Sequence, residues 1–178
     1  MVSLNPMTAQ RIRIIGEPAS GKTTLARRLS LEHGLPNIEL DAFFWNDRVP
    51  PYAGVRRNLI ERDLLLEGAL AKNRWVIEGV YYSWCAATFE RAQRIIVVST
   101  PGWVRNLRLW TRHVRRRIGL EPSLERESLR GAWTTSRWNW RWDQDNLPKI
   151  LELLETYQEK VEIVEDRGFS VPWLKRRD

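Results

Sequence analysis

The sequence predicts an α/β domain built around a parallel sheet, and three observations support this fold class. Strand-like segments alternate along the chain with longer segments of helical periodicity, which is the order of elements in α/β proteins. Most of the strand-like segments are rich in Val and Ile, as strands buried on both faces are. The first of them runs through a glycine-containing loop straight into a helix pattern. The predicted strands span residues 11–15, 37–40, 75–78, 94–98 and 161–164.

The helices between these strands are recognised by their end signals and their apolar periodicity. A helix at 22–33 stops at Gly34, and a helix at 55–72 keeps a stripe of Leu and Ile. A helix at 101–117 starts at a proline, whose missing N–H group would be unpaired in a first turn anyway. Residues 118–131 have weak periodicity with Gly, Pro and Ser, and they predict a loop or a mobile flap. Shorter helices are predicted at 86–92, at 146–157 and after Ser170.

The helix at 101–117 has two distinct faces. Apolar residues recur along it at intervals of four, three and four, so they share one face. Arginines recur at intervals of three, four and three, so they line a second face. The apolar residues are Trp103, Leu107, Trp110 and Val114, and the arginines are Arg105, Arg108, Arg112 and Arg115.

Positive charge and tryptophan are concentrated in the same part of the chain. The net charge is +7, and residues 91–141 contain twelve Arg, no Lys and three Glu. These arginines favour an anionic partner, either nucleotide phosphates or nucleic acid, with a solvated basic face as the alternative. Six of the ten Trp lie between positions 103 and 142. Interleaved Trp and Arg can stack bases, but core and inter-helix packing is the commoner role of Trp and is what we expect.

Targeting signals are absent from the sequence as read. No apolar run approaches the roughly 18 residues that a membrane span needs, and the first ten residues lack the basic and apolar regions of a signal peptide. The single cysteine, Cys85, excludes an internal disulfide and fits a reducing compartment. We therefore expect a cytoplasmic protein without a membrane partner, in which Cys85 is a small, buried side chain.

The loop after the first strand matches a phosphate-binding pattern. Residues 16–23 read GEPASGKT, which fits Gly-x-x-x-x-Gly-Lys-Thr between a strand and a helix. The glycines allow backbone conformations that larger residues obstruct, and the loop N–H groups and helix N-terminus then face phosphate oxygens. Lys22 adds a cation, and the hydroxyl of Thr23 is placed to bind Mg²⁺. The predicted nucleotide-binding residues are Gly16, Glu17, Pro18, Ala19, Ser20, Gly21, Lys22, Thr23 and Thr24.

Two acidic residues near strand ends complete the predicted site. Glu78 ends the strand at 75–78 and is the best candidate to hold the water shell of Mg²⁺, with a simple rim carboxylate as the alternative. Asp41 follows the strand at 37–40, at the edge where ligands of open α/β sheets bind, and alternation places it on the same face as Glu39. It would accept a proton from a substrate hydroxyl or position the acceptor group, or else cap the next segment.

Several short blocks occur in an order that is known from one group of proteins. They are the GxxxxGKTT loop, Leu35-Pro36 followed by 38–41 and Trp45, the segment WVIEG with Tyr81, and 95–98 followed by Pro101 and an Arg-rich helix. In these blocks the sequence resembles small P-loop proteins related to adenylate and shikimate kinases, most closely the FlaR-type DNA topology modulation family. Two blocks depart from the family pattern. Glu78-Gly79-Val80-Tyr81 replaces Asp-Gly-Asn-Tyr, and Glu17-Pro18-Ala19 stands where Gly or Ser is more usual.

The resemblance implies a complete architecture. It implies a three-layer P-loop NTPase fold with a five-stranded parallel sheet of order 2-3-1-4-5, helices on both faces and an Arg-rich lid. Residues 1–178 would form a single domain, with an acceptor-binding flap at about 43–72 and the lid at about 112–131. It also implies ATP and Mg²⁺ as cofactors. The matching lid positions are Arg112, Arg115, Arg116 and Arg117, of which Arg112 and Arg116 share a helical face.

The predicted function is that of an ATP-dependent small-molecule kinase, of the nucleoside-monophosphate or shikimate kinase type. Lys22 would hold the phosphates and Asp41 would face the acceptor. Mobile arginines such as Arg112 and Arg116 would cover the transferred group, since phosphoryl transfer depends on positioning and charge stabilisation. The alternatives are a nucleotide-dependent ATPase that binds nucleic acid through its Arg-rich segment and modulates DNA topology, or a nucleotide-binding protein with a structural role.

The acceptor itself is left open by the sequence. The predicted flap contains arginines that would suit either a phosphate-bearing acceptor or a carboxylate. It also contains aromatic residues that would either stack a base or pack the flap. The arginines are Arg48, Arg56 and Arg57, and the aromatic residues are Phe43, Phe44, Trp45 and Tyr52.

Overall fold

The structure is a computed structural model that describes residues 9–46, 55–120 and 129–166. Within these ranges, strands and helices alternate as the sequence predicts. The strands are β1 (Arg11–Gly16), β2 (Asn37–Glu39), β3 (Trp75–Gly79), β4 (Arg94–Ser99) and β5 (Val161–Glu165). The helices are α1 (Lys22–His33), α2 (Leu40–Phe44), α3 (Leu59–Leu70), α4 (Ala86–Arg91), α5 (Gly102–Arg117), α6 (Leu129–Asp145) and α7 (Leu147–Glu155).

The five strands form one sheet in the order β2-β3-β1-β4-β5, which confirms the predicted topology. Every pairing in it is parallel. The register places Ile14 of β1 beside Glu78 of β3, so the carboxyl ends of these two strands lie side by side. This pairing brings the loop after β1 next to the acidic residue at the end of β3, although 64 residues of sequence separate Ile14 from Glu78.

The core occupies both faces of the sheet, because alternate residues of each central strand point in opposite directions. Ile12 and Ile14 of β1 pack with Leu25 and Leu29 of α1 on one face. Ile15 belongs to a second cluster on the other face, which includes Leu70 of α3. Two packed faces on one sheet give the three layers of an α/β fold. Among the described residues, no helix is both long enough and apolar enough to cross a membrane.

Several elements differ from the predictions, and helices α2 and α6 were not predicted. Helix α3 begins at Leu59 rather than at 55, because the side chain of Asn58 caps it by accepting a 2.8 Å hydrogen bond from the N–H of Ile60. Strand β2 ends at Glu39, and Asp41 lies in the first turn of α2, so the alternation that placed both on one sheet face is wrong. Helix α6 overlaps the predicted flap at 118–131. Residues 121–128 of that flap, and the helix predicted after Ser170, lie outside the described residues.

Helix α5 does not bury the apolar face that its periodicity indicates. Trp103 is 59% exposed and Leu107 is 57% exposed, whereas Arg105 is fully buried. The reason is a polar contact with α6, in which the guanidinium of Arg105 donates to Asp143 Oδ2 at 2.5 Å and to Asn139 Oδ1 at 2.8 Å. Packing is therefore confirmed for only part of the tryptophan cluster. Trp142 is buried, but Trp103, Trp133 and Trp140 are exposed.

Candidate active site

The loop after β1 has a backbone that its own residue types fit. A Cβ atom on Gly16 would lie only 2.6 Å from the carbonyl oxygen of Val98, so this position has no room for a side chain. Gly21, directly before α1, has a φ of 92°, in the left-handed region that glycine adopts without strain. Ala19 is also left-handed, with a φ of 61°. The two glycines of the motif are thus required by one close contact and one backbone conformation.

Neighbouring elements hold this loop in place. The hydroxyl of Thr100 donates to the carbonyl of Ser20 at 3.0 Å, and Arg108 donates to the carbonyl of Ala19 at 3.3 Å. Arg108 also pairs with Asp166, at 2.7 Å, beyond the end of β5. Arg108 was predicted to lie on the arginine face of a helix, without a functional role. Its one local signal is its position four residues before Arg112, which puts both on the same side of α5.

Lys22 is buried within the loop. Its Nζ donates to the carbonyl of Glu17 at 3.3 Å, and the residue keeps only 8% of its surface exposed. Lys22, which is predicted to bind phosphate, therefore lies at the N-terminus of α1, where its positive charge adds to the partial positive charge of the helix dipole. Lys22 lines a cleft of about 1290 Å³, together with the predicted residues Thr23, Asp41 and Arg112.

Thr23, which lines this cleft, contacts Glu78 behind it. The hydroxyl of Thr23 donates a 2.6 Å hydrogen bond to Glu78 Oε1. Glu78 is 4% exposed. Burial raises the pKa of its carboxyl group, while the charge of Lys22 and the hydrogen bond from Thr23 oppose that rise. The structure thus brings together the hydroxyl and the carboxylate that the sequence predicts as a metal-binding pair.

Asp41 also lines this cleft. Its Oδ1 accepts a 2.7 Å hydrogen bond from the phenol of Tyr81, and its other oxygen has no donor among the described residues. Asp41 thus lines the cleft from a helical turn rather than from a strand end, and its role toward an acceptor stays a prediction. The partnership with Tyr81 has no signal in the sequence, since 40 residues separate the two.

The predicted lid arginines differ in their positions. Arg112 is exposed and lines the cleft together with residues of the phosphate-binding loop. Arg116, one turn later in α5, is half-buried and does not line the cleft. The structure therefore brings Arg112 together with Lys22 and leaves the role of Arg116 a prediction.

Arg57, one of the arginines predicted to suit an anionic acceptor, instead holds the start of the predicted flap in place. Arg57 is 6% exposed. Its guanidinium donates to the carbonyls of Ala42 and Trp45, at 3.2 Å and 3.1 Å, and pairs with Glu61 at 2.8 Å. Its backbone N–H donates to the carbonyl of Phe44 at 2.9 Å. Arg57 is therefore part of the scaffold of the cleft wall.

The sheet order and the phosphate loop together define the class of this domain as a P-loop fold. No protein-family model matches the sequence, and a comparison with curated proteins gives no match. Solved structures do match. An unliganded sugar kinase from Janibacter sp. aligns with a TM-score of 0.50 and 16% identity, over 92% of this chain and 88% of that chain. A shikimate kinase from Acinetobacter baumannii, in complex with shikimate, aligns with a TM-score of 0.51 and 15% identity, over 93% and 87%. The chain therefore has the fold of P-loop kinases.

Proposed function

We propose that the protein is an ATP-dependent, Mg²⁺-requiring phosphotransferase that acts on a small molecule. The observation that carries the proposal is the arrangement of one cleft. Lys22, Thr23 and Asp41 all line it, and Glu78 is joined to it by its hydrogen bond with Thr23. A kinase needs phosphate-binding and acceptor-binding groups within one cavity, because both substrates must be held together for direct transfer.

The residues present fit Mg²⁺. The candidate ligands are the hydroxyl of Thr23 and the carboxylate of Glu78, and this ion prefers oxygen ligands. In the described ranges, no group of three His, Cys, Asp or Glu side chains is arranged to hold a metal alone. That suits an ion that normally combines one or two protein ligands with substrate phosphates and water. Thr23 and Glu78 would hold the ion, which when bound would neutralise charge on the phosphate oxygens.

The chain's own groups divide the rest of the chemistry. The loop N–H groups and Lys22 would bind the β- and γ-phosphates of ATP, and Arg112 would face the transferred group from α5. Asp41 would orient the acceptor hydroxyl and take up its proton. The acceptor oxygen forms a bond to the γ-phosphorus as the bond to the β–γ bridging oxygen breaks. ADP departs with that electron pair.

The domain organisation belongs to the same proposal. We infer a single kinase-like domain in which the segment at about 43–72 covers the acceptor and the segment at about 112–131 closes over the phosphates. Closure of this kind excludes water, which would otherwise compete with the acceptor for the phosphoryl group. Membership of the FlaR-type family remains a proposal that rests on the ordered sequence blocks given above.

A second candidate is a nucleotide-dependent ATPase that binds nucleic acid. The observation in its favour is the exposure of both residue types needed for that contact on α5. Trp103 and Trp110 are 59% and 36% exposed, and Arg115 and Arg117 are exposed on the same helix. Exposed rings stack bases and exposed arginines contact phosphates. A DNA affinity that falls steeply with added salt would support this candidate.

The test is ADP release from Mg-ATP across a panel of nucleosides, nucleoside monophosphates, hydroxy acids, sugar acids and duplex DNA. We expect one small acceptor to raise turnover well above the rate with water alone. Lys22→Ala should abolish that turnover, and Lys149→Ala, an exposed lysine on α7, should leave it unchanged. Stimulation by DNA and by no small molecule would contradict the kinase proposal and favour the second candidate.

A further inference from the structure

The wall of the cleft around Asp41 is aromatic. The ring of Phe44 stacks on that of Tyr81, with centroids 4.7 Å apart and an interplanar angle of 26°. Trp45 meets Phe44 edge to face, at 4.8 Å and 85°. Tyr82 lines the same cleft. A hydroxyl delivered to Asp41 would therefore belong to a molecule whose other atoms lie against flat, largely apolar rings.

This wall is built before any ligand arrives. Trp45 and Arg56 form an antiparallel bridge, and the N–H of Asn46 donates to the carbonyl of Val55 at 2.8 Å. The buried guanidinium of Arg57 fixes the carbonyls of Ala42 and Trp45 from beneath. Because the backbone on both sides of the rings is held, the rings form a fixed surface whose binding cost in lost side-chain freedom is small.

The charge of the wall argues against a phosphorylated acceptor. A phosphomonoester carries a charge between about −1.5 and −2 at pH 7 and is usually held by forked arginine contacts. In the described part of this wall the arginines are Arg56 and Arg57, and Arg57 is buried in scaffold contacts. Arg56 lies over the Phe44 ring, with its Cζ 5.4 Å from the centroid. Among the described residues of the wall, the charges of Asp41 and Arg56 balance and Arg57 is paired with Glu61, which suits a neutral acceptor better than a carboxylate.

We propose that the acceptor is a neutral alcohol that carries a planar ring, the chemical class of a nucleoside, an inference that rests on the proposed phosphotransferase function. The ring lies against Trp45, and the hydroxyl reaches the free oxygen of Asp41. That hydroxyl oxygen bonds to the γ-phosphorus of ATP, ADP leaves with the electrons of the broken P–O bond, and Asp41 takes the proton. The products are ADP and a nucleoside monophosphate.

The first test is binding of cytidine, thymidine and guanosine, measured calorimetrically with saturating Mg-ADP so that the nucleotide site is filled. Trp45→Leu removes the ring and keeps an apolar side chain, so we expect nucleoside affinity to fall about ten-fold or more. Trp140→Leu is the matched control, because Trp140 is 71% exposed on α6, and its nucleoside affinity should not change. Affinity for Mg-ADP should be the same in all three proteins, which separates a lost acceptor surface from a lost fold.

The second test is transfer. Phosphorylated product is measured by mass spectrometry for the same nucleosides, for their 5′-monophosphates, and for gluconate and shikimate. Preference for nucleosides, with a raised KM in Trp45→Leu, supports the inference. Transfer to a monophosphate or an acid in preference to every nucleoside would overturn it and leave the proposed function standing. Nucleoside binding that depends on Trp45 without any transfer would support the binding site and contradict the proposed function. Absence of nucleoside binding overturns the inference.

Discussion

The hydroxyl of Thr23 donates a 2.6 Å hydrogen bond to the carboxylate of Glu78, and this contact joins the start of α1 to the end of β3. It exists because β1 and β3 are parallel neighbours whose register places Ile14 beside Glu78. The carboxylate is almost fully buried there, which disfavours its charged form. The positive charge of Lys22 is the largest interaction that offsets this effect. Burying a charged carboxylate at this strand end costs free energy, and a bound cation would reduce that cost.

The buried carboxyl group of Glu78 predicts the acid limit of activity. Burial raises its pKa above the usual value, so protonation begins at a higher pH than for an exposed Glu, about 4.3. Under the proposed role of Glu78, only its carboxylate form would bind Mg²⁺, so kcat/KM at limiting Mg²⁺ should fall as the pH falls through the raised pKa. Glu78→Gln should lower the rate by about 10² or more and remove this acid limb. Glu152→Gln, an exposed control on α7, should keep the wild-type profile.

The contact between Asp41 and Tyr81 predicts a graded loss of catalysis. Asp41→Asn removes the proton acceptor and should lower kcat by about 10² to 10⁴, the range that general-base catalysis contributes. Tyr81→Phe removes the 2.7 Å hydrogen bond to the carboxylate and keeps the aromatic ring, so we expect a loss of about ten-fold. Affinity for ATP, measured by calorimetry, should not change in either variant. Full activity in Asp41→Asn would remove this residue from the mechanism.

The close contact at Gly16 predicts that alanine is not tolerated there. A Cβ would lie 2.6 Å from the Val98 carbonyl and 2.9 Å from Ser20 Oγ, so Gly16→Ala must displace the loop or β4. We expect loss of nucleotide binding and a destabilisation of several kcal/mol, on the scale of overpacked cores. Gly68→Ala is the opposite case, since nothing lies within 4 Å of its added Cβ in the last turn of α3. It should stabilise the protein by about 0.5–1 kcal/mol in urea unfolding.

The parts of this site that the sequence predicts are those that depend on local order. The phosphate loop lies in one continuous segment, and Glu78 ends a strand whose position follows from its apolar residues. Asp41 was placed at the cleft for a partly wrong reason, because the chain turns into α2 one residue earlier than the apolar pattern indicates. Tyr81 and Arg57 could not be predicted in their observed roles. Their contacts join segments whose approach is set by the whole sheet and by burial, and neither leaves a periodic signal.

Replacing the buried Glu17 should stabilise the protein by an amount that depends on pH. It is 3% exposed, and burial raises the pKa of its carboxyl group, with Arg105 and Lys22 only partly offsetting this. A raised pKa in the folded state means that the folded protein binds the proton more tightly, so stability falls as the pH rises through that pKa. Glu17→Gln should therefore raise the free energy of unfolding at pH 8 by about 1 kcal/mol. The gain should shrink towards pH 5, and an equal gain at both pH values would contradict this origin.

Arg13 is the buried cation on which the Asp41 wall depends. It lies in β1 with no exposed surface, and its guanidinium donates to the carbonyls of Gly79 and Tyr81, at 3.3 Å and 2.7 Å. Tyr81 in turn donates a hydrogen bond to Asp41. We therefore expect Arg13 to influence the position of Asp41 through the backbone that follows β3. Arg13→Met keeps much of the volume but leaves these buried carbonyls without the donors. Urea unfolding should show a loss of about 2–3 kcal/mol.

The same substitution should also raise the KM for the acceptor while leaving the affinity for ATP unchanged, since the phosphate loop does not use these two contacts. Arg28→Met is the matched control. Arg28 is paired on the surface with Glu32, at 2.6 Å, and its loss should cost no more than about 0.5 kcal/mol. Arg13→Lys tests the mechanism further, because an ammonium group reaches fewer carbonyls than a guanidinium fork and should recover stability only in part. If Arg13→Met lowers stability but leaves acceptor KM at the wild-type value, the link from Arg13 through Tyr81 to Asp41 is wrong.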